Sequence, residues 1–197
     1  EEQFKIKLKY LKNQIQPHFF FNTLNNLYSL SLESSDKVPD TIIKLSKLME
    51  YVLYDVEGGK SVPLLKEIDY IQNYVEIEKL RFENVEVSIN LESDIEDIKI
   101  PPLLFITLVE NAFKHGGLNN DLLKIKMNFE IIDGKFLNFE IINNFVFSQP
   151  TKPKSGIGLK NIKERLKLIY KNDYTLSKQI KFNYYIVRLQ IPLNNED

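Results

Sequence analysis

The chain has 197 residues, 43% of them hydrophobic and 12% aromatic, enough for one large domain or two small ones around a sizeable core. Its 26 basic and 27 acidic side chains leave a formal net charge of -1, which argues against a nucleic-acid partner bound through a basic stripe. Cysteine is absent and the histidines are two, His18 and His115, so disulfides, thiolate zinc sites and a histidine-rich metal site are excluded. No run approaches the ~18 consecutive apolar residues of a membrane span, and no signal peptide is visible. The sequence opens on a charged, helix-prone run without an initiator methionine. It is therefore expected to be a fragment of a longer protein.

Residues 1 to about 82 read as helical from their apolar periodicity. Phe4, Leu8, Leu11 and Ile15 form one apolar line. Continued past Pro17, that line becomes His18, Asn22, Asn25 and Ser29, all polar, while Phe20, Leu24 and Leu27 form an apolar face roughly opposite. Proline inside a helix removes a hydrogen bond and kinks the axis, which would leave His18 accessible. A break at residues 33–39 precedes a second helix, expected to be capped by Asp40 or Thr41 and to end at Gly58-Gly59. Its stripe is Leu45, Leu48, Met49, Val52, Leu53 and Val56. Two such helices make an antiparallel hairpin, and a hairpin with two apolar sides commonly pairs into a dimeric four-helix bundle. A third helix is expected over residues 64–81, with Ile68, Ile71, Val75 and Glu78 along one side.

From residue 83 the period changes to two. Val85, Val87, Ile89 and Leu91 alternate with polar residues and predict a strand. Pro101-Pro102 is expected to start a helix that runs to Gly116-Gly117. Strands over 124–132 and 135–142 flank Asp133-Gly134, a strong hairpin signal. A loop over 145–155, a helix over about 159–170 and a last hairpin over 174–191 complete the chain. The second half is therefore α+β, with helices layered on a mixed sheet.

Three stretches carry candidate chemistry. On the helix before Gly116, positions three and four apart share a face, so Thr107, Glu110, Asn111 and Lys114 form a polar side while Leu104, Leu108 and Ala112 face the core. An asparagine carbonyl suits Mg2+, which keeps several waters and binds substrate phosphates. Lys114 and His115 would offset phosphate charge, and Glu110 would accept a proton or orient a water. The plainer reading is a solvated helix face ending at a Gly-Gly cap. In Ser155-Gly156-Ile157-Gly158-Leu159 two glycines precede a helix, where backbone N–H groups can approach an anion; an ordinary helix start is the alternative. His18, with Asn22 one turn on to orient its ring, is nucleophilic when neutral, and an unperturbed pKa of about 6.5 allows that at pH 7. A histidine packed in the bundle is the alternative.

Taken together, the stretches resemble the LytS/YehU-type sensor histidine kinases, a branch of the GHKL ATPase superfamily. Leu11-Lys-Asn-Gln-Ile-Gln-Pro-His-Phe-Phe-Phe-Asn-Thr-Leu-Asn25 is similar to that family's phosphoacceptor box. Leu45-Ser-Lys-Leu-Met-Glu-Tyr-Val-Leu53 resembles its second helix, with Glu50 where arginine is frequent. Val62-Pro-Leu64, Glu67, Tyr74, Glu78 and Arg81-Phe82 fit its connecting segment. Pro101-Pro-Leu-Leu104 with Val109-Glu-Asn-Ala-Phe-Lys-His-Gly116 resembles the N box, and Ser155-Gly-Ile-Gly-Leu-Lys-Asn-Ile-Lys-Glu-Arg-Leu166 the second glycine box.

The resemblance implies a dimerisation hairpin over residues 1–82 that carries the phosphoacceptor, followed over 83–197 by a GHKL-type α/β sandwich that binds ATP. It implies that Asn111 holds Mg2+, that Gly156, Gly158 and Leu159 line the phosphates with Glu110, Lys114 and His115 around them, and that Asn143 and Asn144 stand at the adenine end. His18 would accept the γ-phosphoryl group and pass it to an aspartate on a response regulator of the LytTR type. The whole protein would be an inner-membrane sensor with this part in the cytoplasm, acting as a homodimer. Two departures stand out. The family's adenine-recognising aspartate and the glycines after it are replaced in Glu140-Ile-Ile-Asn-Asn-Phe-Val146: Asn143 takes the aspartate position and Phe145 a glycine position. No acid follows His18 directly, since Phe19 stands there. Two alternatives accompany the kinase reading: a dimeric scaffold that docks a regulator without catalysis, and a GHKL ATPase or serine kinase without histidine transfer.

Overall fold

A computed structural model of the protein describes residues 17–55, 61–82, 84–92, 95, 97–116, 122–145 and 157–193, apart from the side chains of residues 17, 18 and 157. The chain falls into two compact units. One takes in residues 1–62, 66–82 and 100–103; the other takes in 63–65, 83–99 and 104–197.

The first unit is helical. Helix α1 (Pro17–Leu32) packs along α2 (Lys37–Glu50). Its buried line is Phe19, Thr23 and Leu27, one turn apart, and the Thr23 hydroxyl donates to the Phe19 carbonyl at 2.8 Å. This corrects the expected face of Phe20, Leu24 and Leu27: Leu24 is 52% exposed. The apolar line from Phe4 to Ile15 and the bend at Pro17 lie outside the described residues. Helix α2 starts before the expected cap at Asp40 or Thr41, because Pro39 fits a first helical turn, where a missing N–H costs no intrahelical bond. Leu45, Leu48 and Val52 are buried as expected, whereas Met49 and Leu53 are about half exposed. The helix does not run on as α-helix but passes into a π-helical turn, Tyr51–Asp55; Val56 and Gly58-Gly59 lie outside the described residues.

A two-residue strand, β1 (Val62–Pro63), leads into α3 (Leu64–Glu78), which ends near its expected limit. Ile68, Ile71, Val75 and Glu78 are all buried along it. Burial pushes the Glu78 carboxyl up, and Arg81 Nη1 opposes that shift by donating to both its oxygens at 2.8 and 3.0 Å. Phe19 packs on Tyr74, with ring centres 4.7 Å apart.

The second unit is a five-stranded mixed sheet covered by helices on one face. Its strands are β2 (Val85–Leu91), β4 (Leu123–Ile132), β5 (Phe136–Asn144), β6 (Thr175–Lys181) and β7 (Tyr184–Pro192), in the order β2-β4-β5-β7-β6. Only β2 and β4 run parallel; the other neighbours are antiparallel. Asp133 and Gly134 both have positive φ at the β4–β5 turn, as the Asp-Gly signal predicts. Alternation places Leu123, Ile125, Met127 and Phe129 of β4, Leu137, Phe139 and Ile141 of β5, and Val187, Leu189 and Ile191 of β7 on the buried face. Two helices, α4 (Ile106–His115) and α5 (Ile157–Tyr170), pack on each other, and α4 also packs on β5. Phe105, Phe129 and Phe139 meet at the centre, ring centres 4.6 to 5.3 Å apart. The helix expected from Pro101 starts only at Ile106. Leu103, one residue after the two-residue strand β3 (Lys99–Ile100) and the proline pair, takes φ 55, the left-handed region, which a right-handed helix cannot include.

Candidate functional site

The sequence motifs of the second half converge where α4 meets α5. Leu108, Val109, Ala112 and Phe113 bury one side of α4, which turns Thr107, Glu110 and Asn111 toward a half-buried position. Asn111 and Gly158 are brought together. A Cβ on Gly158 would stand 2.8 Å from Asn111 Nδ2 and 2.9 Å from its Oδ1. The glycine therefore leaves room for the Asn111 carboxamide in its present place, and no unusual backbone angle is involved. Among the described residues, Asn111 Nδ2 is the buried side-chain polar atom left without a hydrogen-bond partner. A buried donor left unmade costs about 1–3 kcal/mol, so this amide calls for a partner such as a water, an ion or a ligand.

Lys114 and His115 close α4, and the Lys114 ammonium complements the negative end of its dipole. Partial desolvation, and then the Lys114 ammonium, hold the His115 imidazole below its ordinary range, so it is neutral at pH 7. Gly116 follows with φ -84, so it serves space rather than a left-handed cap: a Cβ there would fall 2.3 Å from Leu123 Cδ1 and 3.3 Å from Asn143 Nδ2.

Asn143 continues the buried row of β5 beyond Leu137, Phe139 and Ile141 and is 3% exposed. Its Nδ2 donates to the Asn144 carbonyl at 3.1 Å. Asn144 points the other way and ties down the start of β4: its Oδ1 accepts from the Lys124 amide at 2.7 Å and its Nδ2 donates to the Leu122 carbonyl at 2.8 Å. The Phe145 amide donates to Asn183 O at 2.9 Å. Leu159 is half-buried next to Gly158; Gly156 lies outside the described residues. A groove of about 510 Å³ on the opposite face of the sheet, between Lys124, Lys126, Ile142, Lys181 and Phe182, includes none of the candidate site residues.

His18 and Asn22 lie on the first turns of α1 in the other unit, Asn22 half-buried. Among the described residues no cluster of three or more His, Cys, Asp or Glu side chains is placed to hold a metal. Asn111 fits a cation that arrives with its own phosphate ligands: its carbonyl suits Mg2+ and its unpaired amide suits a phosphate oxygen. Sequence reasoning missed Gly116 as a packing partner of Asn143, and Tyr51 and Leu103 as partners of Glu67.

The helices and the five-stranded mixed sheet share the GHKL-like fold of histidine kinase catalytic domains. Residues 6–85 match the family profile "Histidine kinase". The chain is 30% identical to sensor protein LytS of Oceanobacillus iheyensis over 96% of its own length and 35% of that protein's. It is 29% identical to sensor histidine kinase BtsS of Escherichia coli K12 over 96% of its length and 34% of that protein's. The chain thus spans about a third of the length of the curated relatives it matches. The histidine kinase domain of the Erythrobacter litoralis EL346 blue-light activated histidine kinase shares the fold, with a TM-score of 0.51 at 14% identity over 98% of this chain and 96% of that one. Over most of its length the chain is thus similar to LytS- and BtsS-type sensor histidine kinases.

Proposed function

We propose that the chain is an ATP:protein-histidine phosphotransferase of a two-component system, with the phosphoacceptor region in residues 1–82 and the ATP-binding domain in 83–197. A nitrogen of the neutral His18 imidazole attacks the γ-phosphorus of ATP. A P–N bond forms, the bond from the γ-phosphorus to the β,γ-bridging oxygen breaks, and ADP leaves. The phosphoryl group then passes to an aspartate of a response regulator of the LytTR type. Catalysis of this kind rests on positioning and on neutralising phosphate charge.

In this reading Asn111 would hold Mg2+, which would supply positive charge against the phosphates. Gly156, Gly158 and Leu159 line the phosphates, Lys114 and His115 flank them, Glu110 orients or deprotonates at the reacting end, and Asn22 orients His18. Asn143 stands at the adenine end, with Asn144 holding the strand start beside it. The homodimer forms through the exposed apolar side of the hairpin: Phe21, Leu24, Tyr28, Ile42, Ile43 and Leu53 are each at least 48% exposed. The whole protein is read as an inner-membrane sensor with this part in the cytoplasm; among the described residues no helix is long and apolar enough to cross a membrane.

The observation that carries the proposal is the unpaired buried amide of Asn111 pressed on Gly158, a half-made polar site where two phosphate-type motifs meet. Calorimetry with MgATP on wild type and Asn111→Ala tests it: binding that depends on Asn111 is expected. The second reading, a dimeric scaffold that docks a regulator without catalysis, is favoured by Asn143 and Phe145 in place of the aspartate and glycine; no binding at millimolar nucleotide would select it.

A further inference from the structure

Glu67 plays no part in the chemistry above, yet it is fully buried. It sits in the first turn of α3, and one of its oxygens, Oε2, accepts two hydrogen bonds. The Tyr51 hydroxyl donates at 2.6 Å and the Leu103 amide at 2.8 Å. Each donor belongs to a backbone irregularity. Tyr51 opens the π-helical turn that ends α2, and Leu103 holds φ 55, which a leucine side chain disfavours. Single π turns inside helices recur at functional sites, and strained residues persist only where their surroundings over-determine them. All three residues belong to the same compact unit.

Chain connectivity gives the set its consequence. Leu103 is two residues before Phe105, the cap of α4, the helix that carries Glu110 and Asn111. Tyr51 directly follows α2, the partner of the helix that carries His18. A buried carboxylate is costly without hydrogen bonds, and the Tyr51 hydroxyl helps keep the Glu67 carboxylate at the place from which it holds the Leu103 amide; without it the side chain is less firmly fixed there. Burial and the Glu67 charge raise the Tyr51 hydroxyl above its ordinary range, so it remains a donor at every working pH.

We infer that Glu67 is a positioning residue that fixes the left-handed turn at Leu103, and with it the start of the Asn111 helix, according to whether the π turn of the histidine hairpin presents the Tyr51 hydroxyl. The inference rests on the reading of α4 as the Mg-nucleotide helix. A rearranged π turn that withdraws Tyr51 frees Leu103 and weakens nucleotide binding without touching a residue that contacts nucleotide.

The test uses the full chain, with Tyr51→Phe and Glu67→Gln. Phenylalanine keeps the ring that packs on Tyr70 at 4.9 Å and removes only the hydroxyl; glutamine keeps an oxygen acceptor. Ile71→Val, a change to a fully buried side chain of the same helix, controls for lost stability. The readouts are amide exchange at Leu103, MgATP affinity and melting temperature. Tyr51→Phe is expected to speed Leu103 exchange and weaken MgATP about tenfold, as for one lost hydrogen bond to a charged group, with Glu67→Gln intermediate and Ile71→Val near wild type in affinity. A lower melting temperature with Leu103 exchange and MgATP affinity like those of Ile71→Val would overturn the inference. If wild type itself binds no MgATP, the nucleotide reading has failed, and Leu103 exchange alone judges the hydrogen-bonded set: faster in Tyr51→Phe supports it, unchanged overturns it.

Discussion

Gly158→Ala separates a glycine that merely opens a helix from one that cradles a ligand. Gly158 is the second residue of α5 and carries no positive φ. Alanine in a helix is favoured over glycine by about 0.5–1 kcal/mol, so a plain helix start would gain stability. Here the new Cβ meets Asn111 Nδ2 at 2.8 Å and Oδ1 at 2.9 Å, well inside the ~3.5 Å at which non-bonded atoms attract. The atoms in the way belong to the tip of a short side chain, so the cheap relief is for the Asn111 carboxamide to turn aside. Stability should then stay within about 1 kcal/mol of wild type, while the ligand contacts of Asn111 are lost. Contacts to charged groups are worth about 1.5–3 kcal/mol, so MgATP affinity should fall roughly 10- to 100-fold. Calorimetry on Gly158→Ala, Asn111→Ala and the double variant reads the coupling: the double variant should bind no worse than Asn111→Ala alone. Wild-type affinity in Gly158→Ala, or additive losses in the double variant, would refute the reasoning.

Other expectations follow from the same sites. His18→Ala should abolish labelling of the protein by γ-phosphate from ATP, with MgATP affinity unchanged; label that persists on the variant would move the acceptor elsewhere. The His115 pKa is lowered in the folded state, so protonation favours unfolding, and stability should fall as pH drops from 7 to 5. Urea midpoints for His115→Gln should show a flatter slope over that range. Leu24 and Ile43 are more than half exposed, so Leu24→Glu with Ile43→Glu should leave helicity intact by circular dichroism while weakening self-association at least about tenfold by sedimentation.

The elements were legible where a local signal fixes them. The alternation in Val85–Leu91 and around Asp133-Gly134, and the stripe Ile68, Ile71, Val75 and Glu78, translate directly into strands, a turn and a buried helix face. Where the chain departs from local preference the reading failed. Pro101-Pro102 followed by apolar residues reads as a helix start, yet the left-handed Leu103 delays α4 to Ile106, held by Glu67 from another part of the sequence. The π turn at Tyr51 has no composition of its own. Pairing of β2 parallel to β4 is a long-range choice that alternation leaves open. Within the site, Asn111 and Gly158 were each visible as motif residues, but their contact depends on how α4 and α5 cross. Gly116 reads as a helix stop because sequence shows the turn and hides Leu123 and Asn143 behind it.

The residue that most divides the two functional readings is Asn143, and the structure gives reason to expect that the aspartate the resemblance calls for would not be accommodated there. Asn143 is 3% exposed, and the atom that aspartate would replace by an anionic oxygen is a donor, Nδ2, bonded to the Asn144 carbonyl at 3.1 Å. A carboxylate there sets oxygen against oxygen in a buried place, at a cost of about 1–3 kcal/mol for the broken bond. A protonated carboxyl would instead donate to the same carbonyl, so the folded state should hold the proton of the introduced carboxyl more tightly than the unfolded chain does. Its folded pKa is then raised above the ordinary ~3.9, and the sign follows: Asn143→Asp should be closest to wild type below pH 4 and lose stability as pH rises through the raised value. Urea midpoints from pH 4 to 8 on both proteins measure this, with MgATP calorimetry at pH 7 alongside. Loss of stability with rising pH and no gain in affinity would mean that asparagine is fitted to the end of β5. Equal stability with tighter MgATP would mean instead that the site is the family's own, with one residue exchanged.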